Sequence, residues 1–479
     1  MKNPTRPALF VATALLTACA GLPADGGRAE VGALTAAHGR ALPSGDAEAL
    51  TQRLLAEPIT ADAAVTLALL NSPTVRLAAA RLGMAAASVY DAARLSNPGL
   101  SMARLSSNDA AAVQPQLSFG LAFQFTELLF LSQRKAAATA ESDAVKLEVA
   151  DAVMALAAET EAAWYRAAAA RQSAALQATL ARGARASATL AQRFADAGNL
   201  NARALALQQA AATEAEIAAD AARAEAAQQH STLNARMGLP VARDGWVLAE
   251  GLPAPAATEP TLAEVQVLAV DARLDIAAAQ RRAQAVAQAT GLARSTRLLG
   301  PLEIGVEYER ETDGSRLLGP TLALELPLFN WGAGRAARAA AQLEEAEAEL
   351  DMRVIDAGNA VKSTHGALLA ARARVDRYRE ALIPAHEQVL AEMQREQNYM
   401  LIGVFELLAA RRETSAVYVQ YLDAVRDYWL ARTALAQAVG RQLPASPEAA
   451  SIRADALLPS STPDAALPPA HSHAHGEHP

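Results

Sequence analysis

Two regions of the chain alternate between apolar and polar residues, and a period of two is typical of a strand with one apolar face. The alternation is clearest at 302–310 and 319–327, on either side of the turn signal Asp313-Gly314. A weaker version covers 98–106 and 116–126. The pattern therefore predicts four amphipathic strands, two in each half of the chain.

The rest of the apolar pattern is helical. Apolar residues recur every seven positions at Val354, Val361, Leu368, Val375, Leu382 and Val389. A sustained heptad predicts helices that supercoil against neighbours. The runs 132–194 and 332–395 would each be about 95 Å long as continuous helices, and Pro384 predicts a kink in the second. The segments 204–237 and 262–297 predict shorter helices of about 50 Å that flank the long ones.

The two halves of the chain match each other at an offset of about 201 residues. This shift aligns Leu67-Ala68-Leu69 with Leu268-Ala269-Val270, and nearly the same shift aligns Met237-Gly238 with Val439-Gly440. So long a period is not that of a solenoid and predicts an internally duplicated chain. The predicted boundaries are 1–18 for a signal peptide, 19–58 for an N-terminal extension, 59–240 and 261–440 for the two repeats, 241–260 for a linking belt, and 441–479 for a C-terminal belt segment and tail.

The N-terminus has the features of a bacterial lipoprotein signal. Lys2 and Arg6 precede the apolar stretch 8–16, and Leu16-Thr17-Ala18-Cys19 closes it. We predict cleavage before Cys19 and acylation of this residue, since several acyl chains give a stable membrane anchor. Ala20 favours the outer membrane, with a long periplasmic portion. The alternative is that Cys19 is an ordinary buried cysteine.

Composition narrows the possible functions. The hydrophobic fraction is 52% but mostly alanine, and the net charge of −8 argues against nucleic-acid binding. A single Cys excludes an intramolecular disulfide and a thiolate metal cluster. The sequence has no apolar run of 18 residues, no phosphate-binding loop and no zinc-protease helix. We therefore expect no transmembrane helix, no catalytic residues and no cofactor.

Four strands cannot close a barrel, and open strand edges are not tolerated in lipid. If the strands enter a membrane, several copies of the chain must pool them. The mature sequence would then form long helical rods beside a small, shared sheet.

Several motifs carry a family resemblance. The junction Leu326-Pro327-Leu328-Phe329-Asn330-Trp331-Gly332, followed by Arg335, and the segment from Asn97-Pro98 resemble the strand-to-helix junctions of TolC-like outer membrane efflux proteins. The segment 404–411 looks like the start of that family's last helix. The resemblance implies a mainly α fold with a small β part, in which a homotrimer forms an α-helical barrel and a shared 12-stranded transmembrane β-barrel.

The resemblance also implies partners and a gate. An RND-type inner-membrane pump and a periplasmic adaptor would deliver cargo to the channel, which lies in outer membrane lipid. Acidic residues near the two helical tips would narrow the tunnel, and Asp196, Glu392 and Glu396 are the candidates; alternatively they are solvated carboxylates. Unlike the family pattern, the glycine of the second tip lies late, at Gly403.

Cargo is indicated by the C-terminal tail. His471, His473, His475 and His478 lie in the last nine residues, and closely spaced imidazoles bind zinc, nickel or copper. The tail thus favours the cobalt-zinc-cadmium or copper-silver branch of the family, although a tail without a metal role is an alternative. Met393 and Met400 suit copper(I), but methionines at this spacing usually pack in a core.

Two other functions remain open at this stage. A channel of the same fold could instead export drugs or solvents, or serve type I secretion. A different class of protein would be a periplasmic metal-binding or coiled-coil lipoprotein without a pore. The paired amphipathic strands argue against the second possibility, because such a protein needs no lipid-facing apolar stripe.

Overall fold

The computed structural model describes residues 25–106, 114–249, 251–295, 302–325, 328–444 and 451–452. Helices dominate these ranges, as the heptads and the alanine content predict. The predicted sites Cys19, His471, His473, His475 and His478 lie outside the described residues.

The first half runs from paired short helices through two strands to two long helices. Its elements are α1 (Arg28–Ala37), α2 (Ala47–Leu55), α3 (Ala61–Asn71), α4 (Pro73–Ala92), β1 (Gly99–Leu105), β2 (Gln116–Gln124), α5 (Phe125–Asp196) and α6 (Ala202–Arg236). Helix α5 has 72 residues, so it is about 108 Å long at 1.5 Å per residue.

The second half repeats the order of elements from α3 onward. Its elements are β3 (Leu252–Pro253), α7 (Leu262–Ala272), α8 (Leu274–Ser295), β4 (Leu302–Arg310), β5 (Arg316–Leu324), α9 (Ala333–Arg377), a π-helical turn (Tyr378–Leu382), α10 (Ile383–Asn398), α11 (Val404–Val439) and β6 (Ser451–Ile452). A π-helical turn interrupts the second long helix just before Pro384, where the sequence predicts a kink. Proline cannot donate the backbone hydrogen bond that would continue a regular helix there.

Several predicted limits of helices and strands were wrong. The fourth strand covers Arg316–Leu324 instead of 319–327; it runs through Pro320, which is tolerated because β5 is an edge strand. The first long helix begins at Phe125 instead of 132. The segment predicted as one helix over 262–297 is two helices, which meet at Arg273.

Equivalent contacts recur 201 residues apart. The hydroxyl of Thr60 caps α3 and that of Thr261 caps α7. Trp164 Nε1 donates to the carbonyl of Ile59 at 2.8 Å, and His365 Nε2 lies 3.0 Å from the carbonyl of Pro260. The starts of α3 and α7 are thus each fixed to the long helix of the same half through a ring nitrogen.

A close backbone approach is also repeated. Gly238 and Gly440 end α6 and α11 with φ of 71° and 83°. A Cβ on Gly238 would lie 2.7 Å from the carbonyl carbon of Asn71, and a Cβ on Gly440 would lie 2.9 Å from the carbonyl oxygen of Ala272. The end of α6 therefore packs against the break between α3 and α4 in the same way as the end of α11 packs against the break between α7 and α8.

The largest core lies where the belt meets the long helices. Trp164, Tyr165, Trp246 and Tyr428 are buried there. The belt adds backbone pairing, because Ile59 bridges Leu248 and the short strands β3 and β6 pair with each other. Elsewhere the buried residues of the helices are largely alanines, which let neighbouring helices approach closely.

Among the described residues, no single helix is both long and apolar enough to cross a membrane. One pair, α3 and α4, meets the length and composition criteria only when taken together, and it is bent by 48°.

Candidate functional site

Strands from both halves form one antiparallel sheet in the order β1-β2-β4-β5. Directly opposed residues of an antiparallel sheet share a face. One row across the sheet contains Met102, Phe119, Tyr308 and Leu318, and the next contains Leu100, Leu121, Val306 and Pro320. The apolar sets that the period of two predicted in each half therefore come together on a single face.

This apolar face is exposed. Most of its large side chains are exposed, among them Phe119 at 37%, Leu322 at 70% and Leu318 at 73%. Soluble monomers rarely present so continuous an apolar patch, which marks contact with lipid or with another protein. Strands β1 and β5 each have one neighbour in this sheet, so both edges offer backbone groups for pairing with a further strand.

The opposite face of the sheet carries carboxylates. Glu303, Glu307 and Glu309 lie on it, and the amides of Gln124 and Gln116 donate to Glu303 and Glu309. Among the described strand residues, all the arginines are on the apolar face. The sheet therefore separates an apolar side from a polar side that is negatively charged.

The sheet is joined directly to the helices. Strand β2 passes into α5 without a loop, and Thr126 Oγ1 accepts a hydrogen bond of 2.7 Å from the backbone N–H of Leu302. In the second junction Asn330 Oδ1 accepts from the N–H of Gly332 at 3.0 Å, which supports the left-handed turn (φ 68°) that starts α9. Residues 326–327 of the predicted junction motif lie outside the described ranges.

The helical turns at the other end have the same geometry in both halves. At the first tip Gly198 has φ of 77° and the N–H of Asn199 donates to Phe194 O; at the second, Met400 has φ of 59° and the N–H of Leu401 donates to Glu396 O. Met400 thus occupies the left-handed position that glycine occupies in the first turn. Sequence reasoning missed this role, since it looked for a glycine.

The structure brings the two tips together but does not join their acidic residues. Phe194 and Phe405 pack edge to face, with ring centroids 5.9 Å apart. Asp196 accepts a hydrogen bond from Gln192 at 2.8 Å, and Glu392 pairs with Arg395 at 2.7 Å. Asp196, Glu392 and Glu396 are all exposed. Their predicted role in a gate stays a prediction.

Two partly buried carboxylates, Asp151 and Glu161, lie between the tips and the sheet, on α5. Burial raises the pKa of Glu161, and Arg40, 2.5 Å away, opposes that rise. Burial and the charge of Asp275 raise the pKa of Asp151, although Arg273 and Arg353 act against it. Sequence reasoning missed both groups, because their spacing resembles that of the exposed carboxylates on the same alanine-rich helix.

A second buried ion pair fixes the belt. Arg432 Nε lies 3.3 Å from a Glu259 carboxylate oxygen, and both side chains are nearly buried. The Tyr428 hydroxyl donates to the same carboxylate. Among the described residues, no group of three or more His, Cys, Asp or Glu side chains has a geometry that could hold a metal ion.

Comparisons with known proteins show which solved structures share this fold. No protein-family model matches the chain, and no curated protein matches it. Several solved structures are similar to the chain. The Campylobacter jejuni CmeC outer membrane channel has a TM-score of 0.69 at 14% identity, covering 79% of this chain and 85% of that one.

Two further structures agree. CusC, described for conformational changes in transmembrane channel formation, has a TM-score of 0.64 at 16% identity and covers 80% of this chain and 92% of its own. The outer membrane protein VceC of Vibrio cholerae has a TM-score of 0.64 at 18% identity, covering 80% of this chain and 96% of that one. The chain therefore has the fold of outer membrane channel proteins, as the TolC-like resemblance predicts.

Proposed function

We propose that this protein is the outer membrane channel of a tripartite efflux system. Three copies would pool their strands in a 12-stranded barrel and their helices in a periplasmic tunnel. The channel would conduct cargo passively from an inner-membrane pump and its adaptor. The observation that carries the proposal is the four-stranded sheet with one exposed apolar face and two free edges.

The edges support assembly from several copies. Backbone groups at a sheet edge cannot be left unpaired in lipid, so β5 of one copy would pair with β1 of the next. The apolar face would then contact lipid, and the face with Glu303, Glu307 and Glu309 would line water. The number of copies follows the TolC-like resemblance.

Heavy-metal cations are the cargo we propose. Each copy would add three carboxylates to the lumen, and this negative charge favours cations over anions. The four histidines of the C-terminal tail support the same cargo through their affinity for zinc, nickel and copper. The proposed Cys19 acylation would add an anchor in the membrane that the barrel spans.

A pair of arginine substitutions tests the channel. Leu322→Arg puts a charge on the apolar face, whereas Ala323→Arg puts it on the polar face opposite Glu303. An arginine at the membrane midplane costs about 2–4 kcal/mol, and each assembly carries three. Leu322→Arg should abolish heat-modifiable oligomers in the outer membrane fraction, while Ala323→Arg should leave them. Equal insertion of the two variants would contradict the proposal and favour a lipoprotein without a pore.

The cargo has its own test. Cells with the intact chain, a complete deletion, or a chain ending at Pro469 would be compared for accumulation of zinc, cadmium, cobalt, nickel, copper and silver. Accumulation of one ion in the deletion strain is the expected result, and the shortened chain reports whether the histidine tail contributes. Sensitivity to hydrophobic drugs with unchanged metal content would contradict the metal assignment and leave the channel proposal intact.

A further inference from the structure

The apolar face of the sheet ends in a row of arginines at the hairpin end. Arg104 lies opposite Leu117, Leu117 opposite Arg310, and Arg310 opposite Arg316. These four residues therefore form one transverse row on the face that also carries Met102 and Tyr308. Neighbouring strands are about 4.8 Å apart, so the three guanidinium groups share a narrow strip.

This row has no protein counter-charge among the described residues. No ion pair or hydrogen bond of the Arg104, Arg310 or Arg316 side chain is present there, and Arg310 Nε is buried without a hydrogen-bond partner. Like charges directly opposite each other destabilise a sheet, and Arg310 and Arg316 are directly opposed. An anion between the side chains would remove both unfavourable features.

The position of the row matches a membrane interface. Four apolar rows separate it from the helical end of the sheet, starting at Leu302 and Leu324. Eight residues of strand span about 27 Å, which becomes about 20 Å of height at a tilt of 35–45°, close to the apolar band of outer membrane barrels. The aromatic rings of Phe119 and Tyr308, with centroids 6.3 Å apart, lie in the adjacent row, where aromatic residues border the interface of such barrels.

We propose that Arg104, Arg310 and Arg316 bind the phosphate groups of the lipid in the outer leaflet. Guanidinium groups bind phosphate oxygens in bidentate geometry. The inference rests on the proposed function, because the hairpin end faces outward only if the helices lie in the periplasm. The neighbouring apolar rows would contact the acyl chains of the same lipid. One lipid molecule would therefore bind both the arginine row and the apolar rows beside it.

The test measures lipid binding to the purified full-length protein in detergent by native mass spectrometry, with diphosphoryl lipid A, phosphatidylethanolamine and inorganic phosphate as probes. One variant combines Arg104→Gln, Arg310→Gln and Arg316→Gln. A matched control combines Arg53→Gln, Arg203→Gln and Arg411→Gln, which removes three exposed arginines from the helical part. A third protein carries lysine at the three strand positions and keeps their charge.

Lipid A should bind the unmodified protein and the control equally, and should bind the strand glutamine variant on the order of 100-fold more weakly, because each basic residue near an anionic surface contributes about a fivefold change in affinity. The lysine variant should lie between them. Phosphatidylethanolamine should show no such difference.

Equal lipid A affinity of the strand glutamine variant and the control would overturn the inference. So would inorganic phosphate that competes as well as lipid A does, since the site would then bind any anion. Conductance in planar bilayers separates the two proposals: a conducting variant with unchanged lipid affinity refutes only the lipid site. An unmodified protein that neither inserts nor conducts refutes the channel and the lipid site together.

Discussion

Replacing Gly238 with alanine tests the contact that closes each half of the chain. Gly238 has φ of 71°, and a Cβ there would lie 2.7–2.8 Å from backbone atoms of Asn71 and Ser72. Backbone atoms cannot rotate away as a side chain can, so α6 must move from the junction of α3 and α4. The left-handed conformation costs an alanine about 1–2 kcal/mol, and overpacking adds about 1–3 kcal/mol.

Gly198 provides the matched control. It has nearly the same backbone conformation, with φ of 77°, but a Cβ there would meet nothing within 4 Å. Gly198→Ala should therefore show the cost of the conformation alone. Gly238→Ala should lower the free energy of unfolding by about 1–3 kcal/mol more than the control does.

The assay is urea unfolding of the purified protein in detergent, followed by the far-ultraviolet circular dichroism of the helices. The expected order of midpoints is unmodified protein, then Gly198→Ala, then Gly238→Ala. Gly440→Ala should resemble Gly238→Ala, because its Cβ would lie 2.9 Å from Ala272 O. Equal midpoints for Gly198→Ala and Gly238→Ala would refute the close approach.

Two further substitutions have defined outcomes. Met400→Gly should raise the free energy of unfolding by about 1 kcal/mol, and with it the urea midpoint, because Met400 holds φ of 59° and glycine adopts this conformation without the steric cost. A loss of stability would contradict this reasoning and show that the Met400 side chain makes a stronger contact. Asp151→Asn should stabilise the protein near neutral pH. The raised pKa of Asp151 means that its ionised form costs folding energy, and this cost disappears as pH falls through that pKa. Unfolding measured between pH 4 and 8 should show a gain that shrinks with acidity, and a gain independent of pH would contradict this cause.

The strands were the most predictable elements of the fold. At 302–310 the alternation of four apolar and four polar or small residues fixed both limits of the strand, since a shift of one residue would reverse the faces. The fourth strand was misjudged at Gly319-Pro320, which reads as a strand boundary in the sequence. Its tolerance of proline depends on its position at the edge, and sequence does not show which strand lies there.

Breaks and left-handed turns were harder to predict within alanine-rich helices. Pro73 marks the break after α3, but the equivalent break at Arg273 has no glycine or proline. Arg273 is held instead by a long-range hydrogen bond of 3.0 Å, which it donates to Ala438 O, together with a local ion pair to Asp275. Met400 likewise takes its conformation from the helical turn. Such features depend on tertiary packing, which the local sequence does not encode.

The candidate site was predictable in part. The apolar and polar faces follow from the period of two, whereas the row of Arg104, Arg310 and Arg316 depends on the register between strands from different halves. The acidic residues of the two tips share a region but make no contact with one another that would identify a gate.

Conductance across planar bilayers tests most directly whether several copies of the chain form a channel. Purified full-length protein would be added to planar bilayers and, in parallel, cross-linked for mass determination. A channel made of pooled sheets predicts uniform conductance steps, cation preference from the carboxylates Glu303, Glu307 and Glu309, and a cross-linked species of three chains. A single-chain mass together with an unchanged bilayer current would contradict the account.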